Sequence, residues 1–227
     1  MHTTHHSRID LSSVTGLILA GGKSTRMAGQ NKAQKLLGGK TLLAHSCDIL
    51  ASSVSPLLIS SGRHDYTLAS EAPYITLADR AELGPLEGIL AGLTWVKNNT
   101  PHRWLAVMPC DAPFTPTNWL TLLCAERPCW SPMDTDATIA LAPRYVRCHD
   151  TDHYAHALWP VDAIPAVAHA LKTHRLAIRQ VLKAIQAKAI DISSHCEPES
   201  FLNINKLEDL VKAEHNLACK SLKKQPK

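Results

Sequence analysis

Two groups of residues in this chain have the types and spacing that phosphate chemistry asks for. The first is the loop Gly21-Gly22-Lys23-Ser24-Thr25-Arg26-Met27-Ala28-Gly29-Gln30-Asn31-Lys32, which follows the apolar run Leu17-Ile18-Leu19-Ala20. Paired glycines let a backbone approach a ligand without Cβ clashes, its N–H groups can point inward, and Lys and Arg neutralise phosphate charge. The second is Pro109-Cys110-Asp111-Ala112-Pro113. Its prolines stiffen the turn and hold a single carboxylate in place. One carboxylate plus substrate phosphates is the usual way a protein holds Mg2+, so Asp111 is the candidate metal ligand. Two other phosphate motifs are excluded. A G-x-G-x-x-G fingerprint does not fit, and Gly39-Lys40-Thr41 fails as a Walker loop because Gln34 stands where its first glycine belongs.

These residues need elements to carry them. Leu17 to Ala20, Leu57-Leu58-Ile59, Tyr74 to Leu77 and Trp104 to Met108 read as short buried strands. Between them, Thr41 can cap a helix bearing Leu42, Leu43, Ile49 and Leu50, and Pro85 opens a second helix running to about Lys97. A third helix covers Thr117 to Cys124. Strands alternating with helices predict parallel βαβ units in an α/β fold. In such sheets ligands sit beyond the carboxyl ends of the strands. The glycine loop, Ser60, Asp79 and Asp111 all follow strands, so four strand exits converge on one edge.

The second half is less regular. Residues 126–137 read as a loop. Ile139 to Ala142 and Ala155 to Trp159 read as an antiparallel addition, Ala163 to Leu171 and Arg175 to Ile185 as helices, and Ala189 to Ile192 as a strand. Asn203 and Asn205 precede a final helix from Leu207 to about Leu217. On alternating strand positions they point to opposite faces, so one of them can cap that helix instead. Cys148, His149, Asp152, His153 and His156 resemble a metal cluster in composition. His153 and His156 would serve as a ligand pair only on a helix, and solvated or packing histidines are the plainer reading.

Lys plus Arg exceed Asp plus Glu by 24 − 20 = 4, compatible with phosphorylated small molecules and too weak an excess to argue for nucleic acid. Lys220, Lys223, Lys224 and Lys227 suggest a solvated basic tail over 218–227, and His2, His5 and His6 a disordered leader over 1–13. The seven cysteines lack short paired spacings, and reduced thiols in a cytoplasm are expected. No apolar run reaches membrane-spanning length.

The glycine loop resembles the nucleotidyltransferase signature L-A-G-G-x-S-x-R-M-G-x-x-K, and within that superfamily it is most similar to the molybdenum cofactor guanylyltransferases. Leu19, Ala20, Gly21, Gly22, Ser24, Arg26 and Met27 fall on the pattern and Lys32 stands one residue beyond its lysine, while Ala28 and Asn31 depart from it. Pro109-Cys110-Asp111-Ala112-Pro113 resembles the family's P-C-D-x-P, Gly84-Pro85-Leu86-Glu87-Gly88 its G-P-L-x-G, and Asn203-Ile204-Asn205 its N-x-N.

The resemblance implies a three-layer Rossmann-like fold: a mostly parallel central sheet with helices on both faces and a small antiparallel addition in the C-terminal half. It implies one domain over 14–217, with a nucleotide-binding half (14–125) and an acceptor-binding half (126–217). It implies nucleotide contacts from Leu19, Ala20, Gly21, Gly22, Lys32, Ser60, Asp79 and Asp111, catalytic roles for Arg26, Lys32 and Asp111, and acceptor contacts from Asn203 and Asn205. The expected reaction moves GMP from GTP to the phosphate of molybdopterin, with Mg2+ as cofactor, in the cytoplasm. Other proteins of molybdenum cofactor biosynthesis or target-enzyme chaperones are candidate partners; nucleic acid and membrane are not. The alternatives are a same-fold enzyme using CTP or another phosphorylated acceptor, and a non-catalytic protein that binds nucleotide and hands over cofactor.

Overall fold

β1 (Val14–Leu19) is buried along its whole length because it lies inside a sheet covered on both faces. The computed structural model describes residues 8–21, 31–62, 66, 73–77, 83–125, 142–197 and 199–223. In it β1 pairs in parallel with β4 (Leu57–Ser60) on one side and β6 (Trp104–Pro109) on the other. β5 (Tyr74–Leu77) extends the sheet beyond β4, again in parallel. Beyond β6 come β8 (Thr151–Pro160), β7 (Arg144–Cys148) and β9 (Lys188–Asp191), giving the order β5-β4-β1-β6-β8-β7-β9. β8 runs antiparallel to both β6 and β7, while β9 is parallel to β7. Only β8 is reversed among these seven strands, so the antiparallel addition is a single strand's reversal. A separate two-stranded hairpin pairs β2 (Leu36–Leu37) with β3 (Lys40–Thr41).

Period-two alternation divides the core into two layers. Val14 and Ile18 of β1 join Ala106 and Met108 of β6 against α1 (Leu42–Ala51) and α3 (Trp119–Ala125). Leu17 and Leu19 join Leu105 and Val107 against α2 (Pro85–Asn99), α4 (Ile164–Lys172) and α5 (Ile178–Ala184). The three-layer arrangement expected from the sequence is present. Thr41 caps α1, its hydroxyl accepting from the Ala44 N–H, and Pro85 opens α2 as its pattern predicts. Gly84 ahead of Pro85 has φ 86°, a left-handed value that a side chain would strain.

Four expectations need correction. The strand expected over Ile139–Ala142 is absent at Ala142, and 139–141 lie outside the described residues; the strand is β7, starting at Arg144. Arg144 disguised it: a cation in a strand reads as exposed, yet this one is buried and donates to the Leu123 carbonyl at 2.7 Å. The final helix, α6 (Leu207–Lys223), runs past Leu217 into the lysine-rich end. Residues 8–13 are not part of a disordered leader, since Ile9 is buried and its N–H donates to the Cys124 carbonyl at the end of α3, and residues 1–7 lie outside the described residues. Lastly, the thiols are not all reduced: the sulfurs of Cys148 and Cys196 meet in a disulfide, while Cys47, Cys110 and Cys124 are buried free thiols. Parallel pairing of β7 with β9 brings the two cysteines together from 48 residues apart. Among the described residues, no helix is long and apolar enough to cross a membrane.

Candidate active site

Because β5, β4, β1 and β6 are parallel and in register, their last residues form one row: Leu77, Ser60, Leu19 and Pro109 are paired neighbours. Two residues further along each strand the sequence holds Asp79, Gly62, Gly21 and Asp111. The strand exits that the sequence predicts to converge therefore leave from one edge. Asp79, Gly22 and Arg26 lie outside the described residues, as does most of the glycine loop.

The start of the loop is fastened by backbone. The Ser60 carbonyl accepts from both the Ala20 N–H at 2.9 Å and the Gly21 N–H at 2.8 Å, and the Leu19 carbonyl accepts from the Cys110 N–H at 3.1 Å. Ala20 and Gly21 thus give their N–H groups to Ser60, and their part is to aim the loop. A Cβ on Gly21 would stand 3.2 Å from the Gly62 nitrogen, so the two strand exits meet as closely as glycine permits.

The end of the loop is fastened by Asn31. Its side chain accepts from the Ala33 N–H and caps a short 3-10 turn, Lys32–Gln34. Its amide donates to the Tyr66 hydroxyl at 3.0 Å, which in turn donates to the Ala20 carbonyl at 2.9 Å. One tyrosine therefore ties both ends of the loop together. Sequence reasoning missed Tyr66, which sits in a polar stretch with no periodic or motif signal. Asn31, a departure from the family pattern, still performs the capping that a carboxylate would.

Lys32 is the meeting point. Its ammonium pairs with Asp111 Oδ2 and donates to Asn205 Oδ1 at 2.7 Å. The Lys32 and Asp111 side chains are 19% and 16% exposed, so the pair is screened from water without being sealed from a ligand. The Asp111 carbonyl accepts from the Ile204 N–H at 2.8 Å, docking the Asn203-Ile204-Asn205 segment on the same turn. Asn205 does not cap α6. Asp209 does, its carboxylate accepting from the Asn205 and Lys206 N–H groups. Asn203 is exposed and lies on this segment without being drawn into the lysine cluster.

Asp111 fits a magnesium ion. Oδ2 is held by Lys32, while Oδ1 is buried without a hydrogen-bond partner among the described residues. An unpartnered carboxylate oxygen in so constrained a turn is unfavourable unless a cation meets it. Next to it, Cys110 is no candidate nucleophile: burial, then the neighbouring Asp111 charge, push its thiol up to about 12.

Behind this turn sits a histidine cluster, packing as expected from the sequence. His156 is buried, and burial, helped by His153, lowers it to about 3. The Thr115 hydroxyl donates to the Ala112 carbonyl at 2.9 Å, so its oxygen accepts from His156 Nε2–H at 3.0 Å. Phe201 lies between His153, stacked at 4.6 Å, and His156, edge-on at 4.9 Å between ring centroids. His156 thus braces the Asp111 turn through Thr115 and the Asn205 segment through Phe201. Asp152 pairs with Arg147 instead.

A glycine-bent strand exit facing a lysine–carboxylate pair, at the carboxyl edge of a mostly parallel sheet, defines a nucleotidyltransferase-like α/β protein. Residues 16–190 match the MobA-like NTP transferase domain, and the chain belongs to that family. It is 33% identical to the molybdenum cofactor guanylyltransferase of Rhodopseudomonas palustris (strain HaA2), covering 92% of this chain and 94% of the relative. It is 30% identical to the protein of the same name from Histophilus somni (strain 2336), covering 88% and 96%. The fold is similar to that of molybdopterin-guanine dinucleotide biosynthesis protein A from Archaeoglobus fulgidus, with a TM-score of 0.65, 20% identity, and coverage of 90% of this chain and 99% of that one.

Proposed function

We infer that the protein transfers GMP from GTP to the phosphate of molybdopterin, releasing pyrophosphate and forming molybdopterin guanine dinucleotide. The observation that carries the reading is Lys32 held between Asp111 and Asn205 at the strand exits, in a chain whose relatives are named for this activity.

In the reaction an acceptor phosphate oxygen attacks the α-phosphorus of GTP in line. The new O–P bond forms as the bond to the β-phosphate oxygen breaks, and pyrophosphate leaves. A phosphate monoester is largely ionised at neutral pH, its second pKa being about 6, so no strong general base is needed. Catalysis is then positioning and charge stabilisation. Lys32, fixed by two oxygens, neutralises charge on the departing pyrophosphate, and Arg26 adds a second cation from the loop. Asp111 would hold Mg2+ through Oδ1, and that ion, when bound, supplies further positive charge against the phosphates. Leu19, Ala20, Gly21, Gly22, Ser60 and Asp79 form the nucleotide side; Asn203 and Asn205 form the acceptor side. The setting for this chemistry is the cytoplasm.

The test is pyrophosphate release from GTP, CTP and UTP, each with and without molybdopterin bearing its metal. Release from GTP that requires both acceptor and Mg2+ supports the assignment. Preference for CTP would move it to a cytidylyl transfer, and GTP binding without release would make the protein a handover factor.

A further inference from the structure

On the face of the sheet opposite α1 and α3, the helices α4 and α5 enclose a cleft of about 460 Å3. Its walls are Ala166 and Ala170 of α4 with Val181, Ala184 and Ile185 in and just past α5. Its polar lining comes from His169, Arg175 and Gln180, and none of these residues belongs to the Lys32–Asp111–Asn205 cluster. We propose that this cleft binds a small amphipathic anion, a carboxylate or sulfonate on a medium-length hydrocarbon or aromatic body, with the body against the alanine walls and the charge on Arg175.

The cleft is framed by hydrogen-bonded backbone. At the end of α4 the His174 N–H donates to the Leu171 carbonyl at 3.2 Å and the Arg175 N–H to the Ala170 carbonyl at 2.9 Å, with His174 at φ 52°. This paired closure folds the chain back over the last turn, so Arg175 stands beside Ala170 at the mouth of the cleft. The same closure ends α5, where Gln186 and Ala187 donate to Lys183 and Leu182, with Gln186 at φ 56°. Charge selects the ligand. From Ile164 to Ile190 the sequence holds Lys172, Arg175, Arg179, Lys183 and Lys188 and no Asp or Glu, which exceeds the net excess of 4 in the whole chain. That local field draws anions, and among the described residues Arg175 makes no ion pair that would compete with one. Shape selects it too. The large exposed hydrophobics are Leu36, Ile75, Leu202, Leu207 and Val211, and none of them lies on α4 or α5. The helix pair therefore offers a membrane or a protein surface no protruding anchor, only a recess of the size that encloses a small molecule. Arg175 is exposed, so a bound carboxylate keeps water on its outer side and avoids the cost of full burial.

The full chain is titrated with anilinonaphthalenesulfonate, whose fluorescence rises in apolar surroundings. The dye is then displaced with hexanoate, octanoate, octanol and octylammonium, with and without GTP and Mg2+. One saturable site per chain is expected, indifferent to GTP with Mg2+, which separates it from the nucleotide site. Octanoate displaces the dye about tenfold better than hexanoate, because two more methylenes are buried. It also displaces the dye better than octylammonium, which meets Arg175 as a like charge. Arg175→Gln weakens octanoate about tenfold and leaves octanol unchanged, since the lost contact is to the charged group. Ala184→Trp, at the exposed end of α5 where the fold tolerates it, fills the cleft and removes the site. Absence of a saturable site, displacement of the dye by GTP with Mg2+, octylammonium binding as tightly as octanoate, or unchanged octanoate affinity in either variant would each overturn the proposal.

Discussion

Asn205 accepts a hydrogen bond from Lys32 across 173 residues of sequence, joining the end of the glycine loop to the segment before the last helix. The two halves of the chain therefore share one ammonium group. Asn205→Ala removes an oxygen that positions Lys32 and leaves the fold intact, because the Ile204–Asp111 backbone bond and the Asp209 cap remain. Turnover should fall about tenfold, the size of one positioning hydrogen bond near a charge. Asn203→Ala, off the cluster, should act on the acceptor KM more than on kcat. Equal losses in kcat from both variants would sink the distinction.

Lys32 and Asp111 act as a unit. Lys32→Ala should lower kcat by about 10²–10³, typical for losing one preorganised stabiliser of developing charge. Asp111→Ala should abolish turnover, since it removes both the partner of Lys32 and the unpartnered Oδ1. The double variant should be scarcely worse than Asp111→Ala alone. Additive losses in such a cycle would show two independent roles.

Tyr66→Phe deletes the hydroxyl that links Ala20 to Asn31. Two hydrogen bonds, one buried and one partly buried, lose a partner, at a cost of about 1–3 kcal/mol in unfolding free energy. The loop keeps its glycines and cations but loses the tie between its ends. The KM for GTP should rise, with kcat less affected. A variant as stable as the parent, with unchanged KM, would show that the tie is dispensable.

The path from sequence to site explains what was legible. Leu19, Ser60 and Pro109 end buried strands whose apolar runs are plain to read, while Leu77 ends an edge strand that is half exposed and not buried as the sequence suggests; the shared edge followed from parallel order. Lys32 and Asp111 announced themselves by motif. Tyr66 did not, because its role rests on two contacts distant in sequence, and Arg144 misled because burial of a cation depends on a carbonyl contributed by α3. Cys196 stayed hidden for a similar reason. Its approach to Cys148 is made by the β7–β9 pairing, and no short spacing records it.

His156 gives the fold a pH dependence whose sign is fixed by burial. In the folded chain it is lowered to about 3, against 6.5 for the ordinary group, because charging it would place a cation among Trp119, Phe201 and His153. Between those two values the unfolded chain holds a proton that the folded chain refuses. Stability is therefore fully present above about pH 6.5 and declines as pH falls, by up to about 1.4 kcal/mol per pH unit. His153, also lowered by burial, adds a decline of the same sign. Asp10, Asp152, Asp191 and Asp209 are lowered from 3.8, so their contributions are lost only further into acid, and pH 4.5–7 isolates the histidines. His156→Gln keeps a neutral donor for Thr115 without the titration. Urea midpoints measured across pH 4.5–7 should fall steeply with acid in the parent and less in this variant. Parallel curves would mean that His156 titrates alike in both states and that its burial costs the charged form nothing.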